Sequence, residues 1–495
     1  LAARAKDATP NLALYNLRDA AGESQQDVAD ALNRLGAARG KRLAVTANQV
    51  SRWERGITFP SALYRQLLAE HFGVTVQDLG LTRQRITPQR SEKAESDAGG
   101  FAIHPEPVSH PQAEDSQEEW RTVRRTLNAY RVQLAREAAR LYEPEHRVGD
   151  SGLIAAPAWL PAAPIELGQF GIAHAADGAS PAVTGTEDAA TAVRPLAADG
   201  RRHQRYSLAL RDVEQPRLFE NRLAWHLTDV DWSHPERALT FSTGTYFGAV
   251  DVSEALAHEM AMFHIAGDGS GILPASWRNL ALRRLVSDPF TPSRRATASS
   301  TDTLTLRVDE DGVSFVLHNR AAGNVAVAGG MLHIMPAGVF QPSSILPAAQ
   351  AADFDLWRNL MREYSEEFLG NAEHGGEGEP ADYSIDPLAS FDRAYAAGGV
   401  RVYCLGVALD ALTLWGEILT VAVFDGPTYD RLFANMVSAN AEGTVVTTGR
   451  VKPVPALPFT RHTIEELAAS GRLAPAAAGC MQLAWKHRRT ILGRG

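Results

Sequence analysis

Apolar positions near the start of the chain recur at helical spacing, in short bursts closed by turn residues. Leu14, Leu17 and Ala21 fall three and four apart and Gly22 follows, which predicts a first helix and its stop. Ser24 stands as an N-cap before Gln25, Gln26 and Asp27, opening a second helix with Val28, Ala29 and Leu32 inward. Thr46 caps a third in which Val50 and Trp53 lie one turn apart. Gly56 ends it and Pro60 blocks continuation. Ser61 starts a fourth with Leu63, Leu67, Leu68 and Phe72, and a short last helix is predicted around Val76 to Leu79.

The periodicity then disappears. Arg83 to Asp115 is polar and rich in Pro, Ser, Glu and Gly, the composition of a linker. Ser116 and Glu119 form a capping-box pattern ahead of a long helix whose Trp120, Val123, Leu127, Tyr130, Leu134 and Leu141 keep mostly to 3-4 spacing, with a weak step at Glu137. That seam suits either a second copy of the chain or the chain's own body. Residues 144–200 are rich in Ala, Pro and Gly. Beyond Arg205 strands and helices alternate: Thr303 to Val308 and Val313 to Leu317 read as strands around a Glu310-Asp311-Gly312 turn.

Composition changes the picture in one respect. Residues 1–90 hold 13 Lys/Arg and 8 Asp/Glu, or +5, which leaves −14 for the rest of a chain of net charge −9. A basic head on an acidic body suits nucleic-acid contact by the head alone. Two cysteines, Cys404 and Cys480, give neither a disulfide framework nor a zinc pattern. Leu1 to Pro10 does not resemble a signal peptide, and the apolar run Val407 to Phe424 is broken by Asp410 and Glu417, so a cytoplasmic protein without a membrane span is expected. His258-Glu259 and His264 are spaced HExxxxH, not HExxH, and are assigned no metal.

The stretch Ser24-Gln25-Gln26-Asp27-Val28-Ala29, then Asn48-Gln49-Val50-Ser51-Arg52-Trp53-Glu54-Arg55-Gly56 and Pro60, resembles the phage-repressor-like (XRE-type) helix-turn-helix family over about 70 residues. The resemblance implies an all-α, five-helix domain with the third helix in the major groove of an operator and a homodimer spanning two half-sites. Thr46, Ala47, Asn48, Gln49 and Arg52 would lie at the bases: Asn pairs with adenine, Arg with guanine, and Ala touches a thymine methyl. Gln25 would donate to a phosphate. Arg18 and Glu54 fall where the family places an ion pair joining the first and third helices. The connection Asn33 to Val45 is longer than the family's tight turn and carries Arg34, Arg39, Lys41 and Arg42, which would add phosphate contacts.

In the C-terminal half, Arg362-Glu363-Tyr364-Ser365-Glu366-Glu367 resembles the core of the Nudix box, after strands in the matching order. The spacing puts Glu363, Glu366 and Glu367 on one face of an α-helix. The resemblance implies Mg²⁺ ligation by Glu366 and Glu367, with Glu363 as ligand or base, Gly338 as the opening glycine, and Glu417 as a further carboxylate. The box departs from the family in three ways. Its first part is about ten residues too long, Ser344 stands where a Glu belongs, and the closing glycine comes one residue late.

These readings describe a multidomain protein: a helix-turn-helix domain at 1–82, a linker at 83–115, a long amphipathic helix at 116–143, an Ala/Pro-rich segment at 144–200, an α+β subdomain at 201–300 and an α+β, Nudix-like effector domain at 301–495. The function expected is a sequence-specific DNA-binding transcriptional regulator whose C-terminal domain senses a small molecule of nucleotide-diphosphate type or mediates dimerisation, the alternatives being a Mg²⁺-dependent diphosphate hydrolase tethered to DNA and a protein-interaction platform without a ligand pocket. No catalytic residue is assigned.

Overall fold

The computed structural model describes residues 11–21, 23–39, 43, 45–54, 60, 62–74, 79, 111–175, 180–216, 219–266, 271–320, 331–371, 380–437, 443–446 and 456–493. The chain divides into two compact units, Leu1–Ile103 and His104–Gly495. The expected linker at 83–115 lies outside the described residues up to 110.

The first unit is helical: α1 (Leu12–Ala20), α2 (Gln25–Ala38), α3 (Ala47–Glu54) and α4 (Ala62–Phe72). Leu14, Val28, Ala29, Leu32, Val45, Val50, Trp53, Leu67, Leu68 and Leu79 bury together, so each amphipathic stripe in the sequence meets the others in one core. The Ser24 hydroxyl accepts from the Asp27 backbone N–H while the Asp27 carboxylate accepts from that of Ser24, a complete capping box. The connection to α3 is shorter than expected. Helix α2 runs on to Ala38, through the helix formers Leu35, Ala37 and Ala38, so Arg34 is helical and the linking chain begins at Arg39. The Asn33 side chain then grips Val45, donating to its carbonyl (2.9 Å) and accepting from its N–H (2.8 Å), which fixes the entry to α3.

The second unit opens with α5 (Pro111–Ala139), which starts five residues before the expected cap at Ser116. The Ser116 hydroxyl instead accepts from the Leu196 N–H. Its apolar seam is filled from within the chain: Trp120, Leu127, Leu134, Ala135 and Ala138 are buried in the body's core, and the Trp120 indole donates to the Val193 carbonyl (3.0 Å). The seam is therefore unavailable for zipping two copies together. One core takes side chains from all four segments, 116–143, 144–200, 201–300 and 301–495.

The body is α+β around a curled mixed sheet. Its centre runs Val400–Asp410, Gly416–Asp425, Ser299–Asp309 and Gly312–Phe315; the two inner strands pair in parallel and their outer neighbours antiparallel. Strand Ala337–Val339 joins the early part of Ser299–Asp309. Side chains alternate across the sheet. Thr301 and Thr305 hydrogen-bond to Asn359 and Tyr364 on the helical segment Leu356–Phe368, while Asp302 lies near Cys480 of helix Pro475–Lys486. No helix among the described residues is long and apolar enough to cross a membrane.

Candidate functional site

Helix α3 is held at both ends. At its start the Thr46 hydroxyl accepts from the Gln49 N–H (3.4 Å) and the Gln49 side-chain oxygen accepts from the Thr46 N–H (3.1 Å). At its end the buried Glu54 carboxylate takes Arg18 Nε (2.5 Å), Arg18 Nη2 (3.4 Å) and Gln25 Nε2 (2.7 Å). Arg18 also donates to the Glu23 carbonyl (2.8 Å), and its guanidinium sits 5.2 Å from the Tyr15 ring centre. Three helices thus converge on one carboxylate. With Val50, Trp53 and Glu54 buried, the opposite side of α3 leaves Thr46 and Gln49 exposed and Ala47 and Arg52 half-buried.

The expected ion pair of Arg18 and Glu54 is present. Gln25 is engaged by Glu54, an internal partner rather than an outward one, because α2 begins beside the end of α3. Arg39 pairs with Glu70 of α4, both about 44% exposed, so its charge is partly answered inside the unit. Lys41, Arg42 and the Asn48 side chain lie outside the described residues.

The three carboxylates of the body do not all share one face. The α-helix Leu356–Glu363 gives way to π winding over Tyr364–Phe368, and the larger turn carries position 366 away from the face that 363 and 367 share. Glu367 accepts from the Ala337 N–H (3.2 Å). Glu363 lies over Gly338, its carboxyl carbon 2.0 Å from where a Cβ would be, so a side chain at 338 would turn the Glu363 carboxylate aside. Glu417 is in register with Ser300, whereas Gly338 is in register with Thr301, so Glu417 belongs to the other face of the sheet. Among the described residues no group of three or more His, Cys, Asp or Glu is arranged to hold a metal ion. The three-carboxylate arrangement implied by the resemblance is thus not present among the described residues.

Arg362 has a carboxylate partner that sequence spacing missed. Asp353 lies 3.5 Å from it, and Tyr383 bridges the two, accepting from Arg362 (2.5 Å) and donating to Asp353 (2.6 Å). The Asp353 carboxylate also accepts from the Ser343 N–H and hydroxyl. Burial pushes the Tyr383 phenol above its usual range, so it stays a neutral donor.

A family model described as the SP15 N-terminal domain matches residues 14–82. No curated protein matches the chain. The matched stretch takes in α2 to α4, most of α1, and every residue of the α3 scaffold.

The residues of the HExxxxH pattern go separate ways. His258 Nδ1 meets the Tyr206 hydroxyl (2.9 Å), Glu259 accepts from the N–H groups of Leu282 and Arg283, and His264 Nε2 accepts from the Ser276 N–H.

Proposed function

We propose that this protein is a sequence-specific DNA-binding regulator whose first unit is an XRE-type helix-turn-helix head and whose second unit is a Nudix-like sensor. The observation that carries the reading is the scaffold around α3. A helix capped by Thr46 and Gln49 and tied at Glu54 to α1 and α2 is presented as a rigid element, with Ala47, Gln49 and Arg52 off the core. Such rigidity is what groove docking requires, because a base contact tolerates little play. The basic balance of the first 90 residues supplies attraction to phosphate without sequence information.

The test is a panel of duplexes against the full chain. Arg52→Ala is expected to cost about 1–3 kcal/mol on the preferred site and to relax discrimination at one base pair. Lys41→Ala is expected to weaken all duplexes alike and to lower the salt slope by about one. Uniform losses for both variants on every sequence rule out α3 as the reading element.

The body's reading rests on its curled mixed sheet between helices and on the Arg362 segment packed against strand Ala337–Val339. Nucleoside-diphosphate compounds are the ligands its fold analogy points to. Because Glu363 and Glu367 face Gly338 and Ala337, such a compound is expected to raise the melting temperature without Mg²⁺-dependent phosphate release. Release that disappears in Glu366→Gln would make the body a hydrolase. A homodimer on two half-sites completes the reading, joined through a surface other than the α5 seam.

A further inference from the structure

Resting on the regulator reading, we infer that Gln49 is a specificity-determining residue held as a hydrogen-bond donor, and that it selects guanine at one position of the operator. The inference starts from its capping bond. Its side-chain oxygen accepts from the Thr46 N–H at 3.1 Å while the side chain stays exposed. A carboxamide has one acceptor atom and one NH₂ group. The acceptor edge is turned back to the start of α3, so the edge left over carries the two N–H donors.

That polarity decides which base it fits. Adenine's major-groove edge offers a donor beside an acceptor, and a Gln reads it by using both of its own atoms. Guanine offers two acceptors, N7 and O6, and no donor. A Gln whose oxygen already accepts from its own helix has both donors but only one lone pair free, so it matches the two acceptors of guanine better than the donor–acceptor edge of adenine. Arg52, one turn further along α3, is the other guanine reader by chemistry, so the two residues favour separate guanines.

The variant that isolates the donor is Gln49→Glu. Glutamate at the third helical position keeps the capping box, so the helix is preserved while the NH₂ is removed. The full-length protein is first used to enrich duplexes from a random pool, and each enriched guanine is then replaced by 7-deazaguanine, which keeps Watson–Crick pairing and lacks N7. The parent is expected to lose about tenfold at one such guanine. Gln49→Glu is expected to lose about as much on the unmodified duplex, to ignore the 7-deaza change there, and to shift toward cytosine, whose N4 donates.

Equal preference for that guanine in parent and Gln49→Glu overturns the assignment. So does an equal loss by the variant on every duplex, which would place Gln49 on a phosphate. Should Gln49→Glu melt early, the unmutated protein still decides: indifference to 7-deazaguanine at every enriched position overturns it. Failure of the parent to enrich any sequence removes the regulator reading along with the inference, whereas enrichment without a Gln49-dependent guanine removes the inference alone.

Discussion

Glu254→Ala is expected to destabilise the body by about 3–5 kcal/mol, read as a lower urea midpoint, because it strands two buried guanidinium groups on one missing carboxylate. Arg124 and Arg131 of α5 both bond Glu254 of helix Tyr246–His264: Arg131 Nη1 and Nη2 reach its two oxygens at 2.9 and 2.8 Å, and Arg124 Nη1 joins them. The Arg124 side chain is 0% exposed and that of Glu254 2%, so water cannot replace what is lost. Glu214, 26% exposed, also bonds Arg124, at 3.3 and 3.4 Å. Glu254→Gln separates charge from packing, since it keeps the volume and one acceptor. It is expected to fall between parent and alanine variant.

The same carboxylate gives the body an acid limit. Burial alone raises its pKa, but Arg131 and Arg124 outweigh burial and hold it down to about 2, against 4.5 for a free glutamate. A depressed carboxyl stabilises the fold fully above its unfolded value and loses that contribution as pH falls toward the folded value. Stability is therefore expected to decline between about pH 4.5 and 2, and Glu254→Gln to flatten that limb of the titration. A limb equally steep in both proteins would assign it to other carboxylates.

How much of this was legible in the sequence depended on range. The helices of the head were readable because each one's cap and apolar stripe lie within a dozen residues: Ser24 with Asp27, Thr46 with Gln49, Val50 with Trp53. The ion pair of Arg18 and Glu54 came from a family resemblance, not from spacing. From the sequence the connection is expected to begin at Asn33, whereas α2 runs on to Ala38 with Gly36 buried inside it. In α5 the signal was present but incomplete. Arg124 and Arg131 fall on the same stripe as Leu127 and Leu134, so cations on a buried face were visible. Their partner is more than 120 residues away, and periodicity carries no information about contacts at that distance. The carboxylate triplet failed for a local reason: 3-4 spacing implies a shared face only in an α-helix, and the chain changes to π winding where those residues lie.

On the proposed regulator reading, Arg18→Ala is the change expected to do most damage to DNA binding without touching DNA. Arg18 and Glu54 have side-chain exposures of 12% and 4%, so removing the arginine leaves a buried carboxylate that keeps its bond from Gln25, at 2.7 Å, but loses its charged partner. Breaking such a pair costs about 3–5 kcal/mol. A head of this size has only a few kcal/mol to lose, since small cores bury a smaller share of their surface. Selective duplex binding is expected to vanish while the body's urea transition is unchanged. Hydrogen exchange in α1 to α4, measured on the full chain, should accelerate together. Gln25→Ala removes one bond and leaves the pair, so about 0.5–1.5 kcal/mol is expected. The decisive variant is the double change Arg18→Met with Glu54→Gln, which removes both charges at similar volume. Recovery of slow exchange together with duplex binding would confirm that the pair acts by fixing α3. Recovery of exchange without binding would instead place Arg18 in direct contact with DNA.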